Sequence, residues 1–202
     1  MRKVRAIIAA VGLLAGAGAA HGAERLVLGP YPGVPWIDVV DNGSVLERVP
    51  QGQSGDNFQD VLTSQTVRDY RGSPASYVTQ TLDQLGQTCE SVQITGPTTA
   101  EEQGRQVAYG RVYCGRQKGQ TFGIHFFFKA IEGAEVLYLV GRGFRTPPSD
   151  HAGAPPLAED KAIAFLQAEG VATKYLTDQV YVCDPVFPDP KCTSEATATS
   201  PR

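Results

Sequence analysis

The sequence has little charge and no excess of positive charge. Charged residues make up 19% of its 202 residues, and the formal net charge is −3. A mildly acidic chain argues against a nucleic acid as the partner. The apolar share of 42% excludes a wholly disordered chain, and the ordinary composition excludes a coiled coil and a collagen-like rod.

The sequence also lacks the motifs that mark common catalytic and metal sites. It has no G-x-S-x-G nucleophile elbow of a serine hydrolase, and Gly141-Arg142-Gly143 lies in a predicted strand rather than in a phosphate-binding loop. No two cysteines have the short C-x₂-C spacing of zinc sites, and there are three histidines. We therefore predict no metal and no cofactor. Enzymatic activity stays open, and a protein that is not an enzyme is favoured.

Long hydrophobic runs are limited to the start of the chain. Residues 6–20 are apolar, follow the basic segment Met1-Arg2-Lys3-Val4-Arg5 and end in small residues. This pattern is typical of a secretory signal peptide, predicted to span residues 1–22, with an uncleaved anchor as the alternative. The rest has no run of the roughly 20 apolar residues that a membrane span needs. We expect a periplasmic or secreted protein without a transmembrane segment in its mature chain.

The domain organisation follows from length and composition. Residues 23–192 are expected to form a single domain. Residues 193–202 are small and polar, with almost no bulky apolar group, so we expect a disordered tail.

The four cysteines are expected to form two disulfides, because their number is even and the chain is predicted to be exported. Four cysteines allow three pairings. We favour Cys89–Cys114, which joins the end of a predicted helix to a predicted strand. The second favoured pair, Cys183–Cys192, closes a loop with three prolines.

Periodicity and turn residues predict the order hairpin, strand, helix, run of strands, helix. Asn42-Gly43 joins two β-branched runs over residues 36–40 and 45–49. Further strands are expected over residues 61–67, 89–94, 106–114, 121–131, 136–144 and 179–183. One helix should start with Ser73-Pro74 and end near Gly86, and a second should cover residues 157–169 and end at Gly170. Because strands follow one another without alternating helices, we predict an α+β fold: a mostly antiparallel, twisted sheet packed with two main helices.

Side-chain alternation predicts which faces are buried. The row Phe122, Ile124, Phe126 and Phe128 should form the centre of the core. His125 lies on the opposite face of that strand. In the last helix, Leu157, Ala162, Phe165 and Leu166 are expected to point inward.

Residues 56–65, Asp-Asn-Phe-Gln-Asp-Val-Leu-Thr-Ser-Gln, resemble the opening of an uncharacterised family of exported proteobacterial domains. That family often has Asn-Trp before a Thr-x-Gln strand, and this sequence has Phe58 in place of the Trp. The spacing to Cys89 and Cys114 and the strand 138–145 are similar as well, so the resemblance covers about residues 49–145. It implies the PsbP-like α/β/α sandwich, whose members mostly bind or assemble rather than catalyse.

A few residues are candidates for function. His125 is a possible general acid or base, although a strand histidine without an evident partner is more often packed. Tyrosine and arginine are frequent anchors of interfaces. The candidates for binding are His125, Tyr109, Arg111, Tyr113, Tyr138, Arg142, and Phe187 in the loop closed by Cys183–Cys192.

Together these observations favour an exported, non-enzymatic binding or assembly protein of the bacterial cell envelope. Its partner would be another envelope protein or a small ligand. The alternatives are an inhibitor or immunity protein that uses the Cys183–Cys192 loop, which a disulfide would pre-organise, and a hydrolase that uses His125. The sequence does not indicate an oligomeric state.

Overall fold

The computed structural model describes residues 24–151, 153, 157–184 and 191–192. The predicted signal peptide, the predicted tail and Phe187 lie outside these residues. The elements in chain order are β1 Arg25–Leu28, β2 Trp36–Asp41, β3 Val45–Pro50, β4 Asp60–Arg68, α1 Pro74–Gln87, β5 Cys89–Glu102, β6 Arg105–Gln117, β7 Gly123–Glu132, β8 Val136–Thr146, α2 Glu159–Asp178 and β9 Val180–Cys183.

Seven strands form one antiparallel sheet in the order β2-β3-β4-β8-β7-β6-β5. The short strands β1 and β9 pair antiparallel in a second sheet. The predicted α+β class, with a mostly antiparallel sheet and two main helices, is confirmed. Both predicted disulfides are confirmed too, with Cα–Cα distances of 5.4 Å for Cys89–Cys114 and 5.7 Å for Cys183–Cys192.

Local sequence explains the first hairpin and the first helix. The Asn42 side chain accepts hydrogen bonds from the backbone N–H groups of Ser44 and Val45, and Gly43 has a φ of 79°. Ser73 caps α1 by accepting from the backbone N–H of Ser76 at 3.2 Å, and Pro74 follows at the first helical position, as predicted.

Helix α1 covers one face of the sheet. Its buried residues Val78 and Leu82 pack against Ala108, Val112 and Phe128. A Cβ atom at Gly110 would lie 2.6 Å from Cγ1 of Val78, so the helix can approach β6 this closely only because residue 110 is glycine.

Helix α2 and the β1–β9 pair cover the opposite face, where Tyr175 and Leu176 pack against Phe127 and Val140. The prediction that the Phe122–Phe128 row is the centre of the core is therefore only partly right. Phe127, on the other side of β7, is buried to a similar degree as Phe128. Because β7 is covered on both sides, both of its faces carry apolar side chains, and a single row of side chains cannot identify the centre of the core.

The second helix differs most from its prediction. It starts at Glu159, continues through Gly170 and ends at Asp178. The residues after the glycine, Ala172, Tyr175 and Leu176, are buried, and this burial outweighs the low helix propensity of one glycine. Leu166, which was expected inward, is 62% exposed.

Strands β5 and β1 correct two further expectations. β5 continues past the predicted residues 89–94 to Glu102, through a cis Gly96–Pro97 peptide bond and several shifts of register against β6. β1 was not predicted, because its four residues are too few for a periodic pattern. Among the described residues, no helix combines the length and the apolar character that crossing a membrane requires.

Candidate functional site

The predicted site residues that the structure describes share one face of the sheet. Tyr109, Arg111 and Tyr113 alternate along β6, and their strand partners on β7 are Lys129, Phe127 and His125. Tyr138 and Arg142 on β8 lie opposite Ile131 and Phe127 and so occupy the same face. This is the face beneath α2, β1 and β9. The set converges, but His125, Tyr113, Tyr138 and Arg142 are buried, whereas Arg111 is exposed.

His125 belongs to a packed cluster with Tyr113 and Glu169. The rings of Tyr113 and His125 are stacked with centroids 3.5 Å apart. Glu169, from α2, accepts a hydrogen bond from the Tyr113 hydroxyl at 2.9 Å, and the same Oε1 atom lies 2.6 Å from Nδ1 of His125. The contact with His125 is short but poorly aligned, since neither ring nitrogen has a well-formed hydrogen bond. The cluster ties the middle of α2 to β6 and β7.

Burial sets the protonation states of this cluster. It lowers the pKa of His125 to about 3, and the charge of Arg111 acts in the same direction. It also raises the pKa of Glu169 and, together with the hydrogen bond to Glu169, raises the pKa of Tyr113 to about 12. At pH 7 the imidazole is therefore neutral and lies next to a phenol that keeps its proton.

The surroundings of His125 leave little space for a substrate. A crevice beside the imidazole is lined by Tyr113, Ile124, Thr146 and their neighbours, and it has no room for a water-sized molecule. A neutral imidazole beside a carboxyl group can relay a proton in principle. The geometry favours the packed role of His125, and its role as a general acid or base stays a prediction.

A buried lysine next to this cluster is a site that the sequence analysis missed. Lys129 is 1% exposed, and its Nζ atom donates hydrogen bonds to Glu102 Oε2 at 2.7 Å and to the carbonyl oxygens of Leu176 and Val180 at 3.0 and 2.8 Å. Tyr109 donates its hydroxyl to the other oxygen of Glu102. Burial lowers the pKa of Lys129, and Glu102 acts against this shift. The ammonium group thus caps the C-terminal end of α2.

Arg142 is the second buried cation. Its guanidinium makes a bidentate contact with the carboxylate of Asp60. It also lies over aromatic rings, 3.7 Å from the centroid of Tyr31, 4.7 Å from Trp36 and 4.8 Å from Phe144. Burial raises the pKa of Asp60 and lowers that of Arg142. The direct contact between their opposite charges favours the charged form of each. Arg142, on β8, therefore connects Tyr31 and the edge strand β2 to strands β4 and β8 in the middle of the same sheet.

Tyr138 and Arg105 are also engaged inside the molecule. Burial and the nearby charge of Glu24 raise the pKa of Tyr138 to about 12. Arg105 bridges Glu24 at 2.8 Å and Asp184 at 2.9 Å, which joins the β5–β6 hairpin to one end of the second sheet, where the start of β1 lies beside the end of β9. The predicted binding role of the tyrosines and arginines stays a prediction.

The surface displays a small number of large apolar side chains. Val34 and Ile37 are 56% and 39% exposed at the β2 edge of the sheet, and Ile94 is 40% exposed on β5 at the other edge. Ile163 and Leu166 are 52% and 62% exposed on α2. Within the described ranges, no group of three or more His, Cys, Asp or Glu side chains is placed to hold a metal ion.

No family model and no curated protein matches the sequence. Among solved structures, the chain is similar to the Ran-binding protein Mog1p of Saccharomyces cerevisiae at 11% identity, with a TM-score of 0.43 over 76% of this chain and 89% of that chain. It is similar to LpqN of Mycobacterium tuberculosis, described as involved in cell envelope biogenesis, at 12% identity and a TM-score of 0.40 over 81% and 86%. It is also similar to the cyanobacterial PsbP (CyanoP) of Synechocystis at 12% identity and a TM-score of 0.44 over 85% and 99%.

The last of these structures is a PsbP protein, the group that the sequence resemblance also names. At these identities and TM-scores the likenesses carry no argument about function.

Proposed function

We propose that the protein is exported and acts as a non-enzymatic binding or assembly protein of the bacterial cell envelope, which receives an extended segment of another envelope protein along β2. The observation that carries this proposal is the open, apolar edge of the seven-stranded sheet. Among the residues that the structure describes, β2 pairs only with β3, and Val34 and Ile37 are exposed beside it. An open edge presents unpaired backbone N–H and C=O groups that can pair with an added strand.

The two edges of the sheet differ in how well they could take such a strand. β5 contains Pro97, which has no backbone N–H, and its register against β6 shifts at three places. β2 contains no proline, and its register against β3 shifts once, between Asp38 and Val40. The edge at β2 is therefore the more regular template.

The side chains of β2 indicate the kind of segment that would fit. Ile37 and Asp38 are exposed and point to opposite sides of the strand. Asp38 is already paired with Arg48 at 2.7 Å, so the available contacts are mainly apolar and backbone contacts. The expected partner segment is extended and carries β-branched or aromatic residues.

Two further features support a binding protein in an oxidising compartment. Both pairs of cysteines are disulfide-bonded, as is usual for exported proteins. His125 is 1% exposed and in contact with Glu169, and the crevice beside it has no room for a water-sized molecule. This packing supports a binding protein more than an enzyme that uses His125.

The test compares three baits in cross-linking capture from envelope extract: the unaltered protein, Ile37→Lys and Ile94→Lys. The two isoleucines have nearly equal exposure and lie on opposite edges, so Ile94→Lys is a matched control. A lysine on an edge strand blocks strand addition. We expect a protein that the unaltered and Ile94→Lys baits capture and that Ile37→Lys loses, with equal thermal stability of all three. A partner that all three baits capture equally would contradict binding at β2.

A further inference from the structure

The outward side of α2 carries a row of exposed residues against which none of the described residues packs. Asp160, Ile163, Gln167, Gly170 and Lys174 follow one another at intervals of three and four residues, and all are exposed. This is the spacing at which residues of one helix line up along a contact with another helix. Leu166 and Val171, which are also exposed, flank the row.

The exposed side of α2, made of this row and its flanking residues, has matching spacing on both sides of Gln167. Asp160 and Lys174 each lie seven residues from Gln167, one on each side, and Ile163 and Val171 each lie four residues from it. If two copies of α2 pack antiparallel with Gln167 at the two-fold axis, Asp160 of one copy faces Lys174 of the other, and Ile163 faces Val171. A parallel arrangement would instead place equal charges opposite each other.

Gly170 gives a second, independent indication that another helix packs against α2. A Cβ atom at this position would meet nothing within 4 Å, so no contact inside the described molecule requires a glycine here. Glycine in the middle of a helix lowers helix stability relative to alanine. It does allow another backbone to approach closely. In the antiparallel pairing Gly170 faces Ala164, three residues on the other side of Gln167, which leaves room for such an approach.

We infer that two copies of this chain associate through α2, antiparallel, about a two-fold axis at Gln167. This goes beyond the proposed function, because it uses α2 and leaves the β2 edge free. Asp160 and Lys174 form the intermolecular ion pairs. Lys174 also contacts Asp178 one turn along its own helix, but its side chain is 79% exposed and can reach a partner.

The expected dimer is weak. One pair of helices buries less surface than the roughly 1,600 Å² of a standard stable interface. We therefore expect a dissociation constant in the micromolar range or above, and the measurement has to extend to about 1 mM protein.

The experiment is sedimentation equilibrium of the oxidised protein, produced with its own leader and recovered from the periplasm. The unaltered protein should dimerise. Asp160→Lys and Lys174→Glu should each raise the dissociation constant at least tenfold, because each places equal charges opposite each other. The double variant D160K/K174E should return to within threefold of the unaltered protein, since the pairs form again with reversed sign.

Two control variants change the charge elsewhere. Lys161→Glu alters an exposed residue of the same helix on the side away from the row, and Asp83→Lys alters an exposed residue of α1. Neither should change dimerisation. In addition, an equimolar mixture of D160K and K174E should form a heterodimer more readily than either forms a homodimer, which tests the pairing even if one single variant is less stable.

Three results would overturn the inference: a monomer at every concentration, a dimer that D160K and K174E leave unchanged, or a double variant that stays weakened. Ile37→Lys separates this inference from the proposed function. That variant should dimerise normally even if it loses its envelope partner, and a dimer that Ile37→Lys abolishes would place the contact at β2 instead.

Discussion

The guanidinium carbon of Arg142 lies 4.7 Å from the ring centroid of Trp36, the single tryptophan of the chain. The same guanidinium makes a bidentate contact with Asp60, so we expect Trp36 fluorescence to respond to changes in this buried ion pair. Strand β2, which contains Trp36, is also the strand at the open edge of the sheet. The integrity of the proposed binding edge is thus linked to one buried arginine.

We predict that Arg142→Lys lowers the free energy of unfolding by about 2–4 kcal/mol. Lysine keeps the positive charge but cannot make the bidentate contact with Asp60 or stack a planar group on the rings of Tyr31 and Trp36. Urea unfolding followed by Trp36 emission measures the effect. The control is Arg48→Lys, whose partly exposed ion pair with Asp38 should be worth about 1 kcal/mol or less. Equal losses of unfolding free energy in the two variants would show that the Arg142–Asp60 contact stabilises the fold no more than a partly exposed ion pair does.

Lys129→Met should destabilise the fold by about 3–5 kcal/mol, because it leaves the carboxylate of Glu102 and the carbonyl oxygens of Leu176 and Val180 without their shared cation. Methionine fills much of the same volume, so the loss reports on the hydrogen bonds and the charge rather than on a cavity. Urea midpoints measure it.

The matched control for Lys129→Met is Lys118→Met. Lys118 donates to the carbonyl of Gln87 but is exposed, so its loss should stay within about 0.5 kcal/mol. A small effect at residue 129 would mean that water can replace the ammonium group at the end of α2.

The sequence predicted the elements whose residues interact locally. The Asn42-Gly43 turn and the Ser73-Pro74 start of α1 depend on contacts within a few residues, and both appear as expected. The alternation along β7 also placed His125 on the face opposite Phe128 correctly. Contacts between residues that are close in the chain can be predicted from a single sequence.

The parts that were missed depend on contacts between distant residues. Glu169 contacts His125 from α2, a helix whose end was predicted at Gly170. The helix continues past this glycine because Tyr175 and Leu176 are buried in the core. The sequence contains one indication of the Lys129 site, namely a single charged residue within an otherwise apolar strand. Its partners at residues 102, 176 and 180 come together through the fold alone.

Acid should weaken the fold through His125. Its pKa is about 3 in the folded protein and 6.5 as the ordinary value, so the unfolded chain binds more protons between these values. The free energy of unfolding therefore falls as the pH drops below about 6.5, with a limiting slope of about 1.4 kcal/mol per pH unit. The raised pKa of Glu169 acts in the opposite sense, lowering stability as the pH rises through 4.5.

The comparison with His125→Gln isolates the histidine, because other groups contribute similarly to both proteins. The stability difference between the two should shrink steadily from pH 7 to about pH 3.5. His151→Gln, an exposed residue after β8, is the control and should follow the unaltered protein. Parallel curves for the unaltered protein and His125→Gln would show that His125 takes up its proton without leaving the folded state.

Two glycines should respond to alanine in opposite ways. At Gly110 the new Cβ would lie 2.6 Å from Val78 and 2.8 Å from Leu82, so overpacking should cost about 1–3 kcal/mol. At Gly170 the Cβ meets nothing, and Gly170→Ala should raise the free energy of unfolding by about 0.5–1 kcal/mol through helix propensity. Urea midpoints at low protein concentration, where the chain is monomeric, measure both. At high concentration Gly170→Ala should also weaken self-association, since its methyl group enters the α2 contact. A lower midpoint for the monomer would mean that Gly170 is required within one chain, and the case for a second copy would lose its second support.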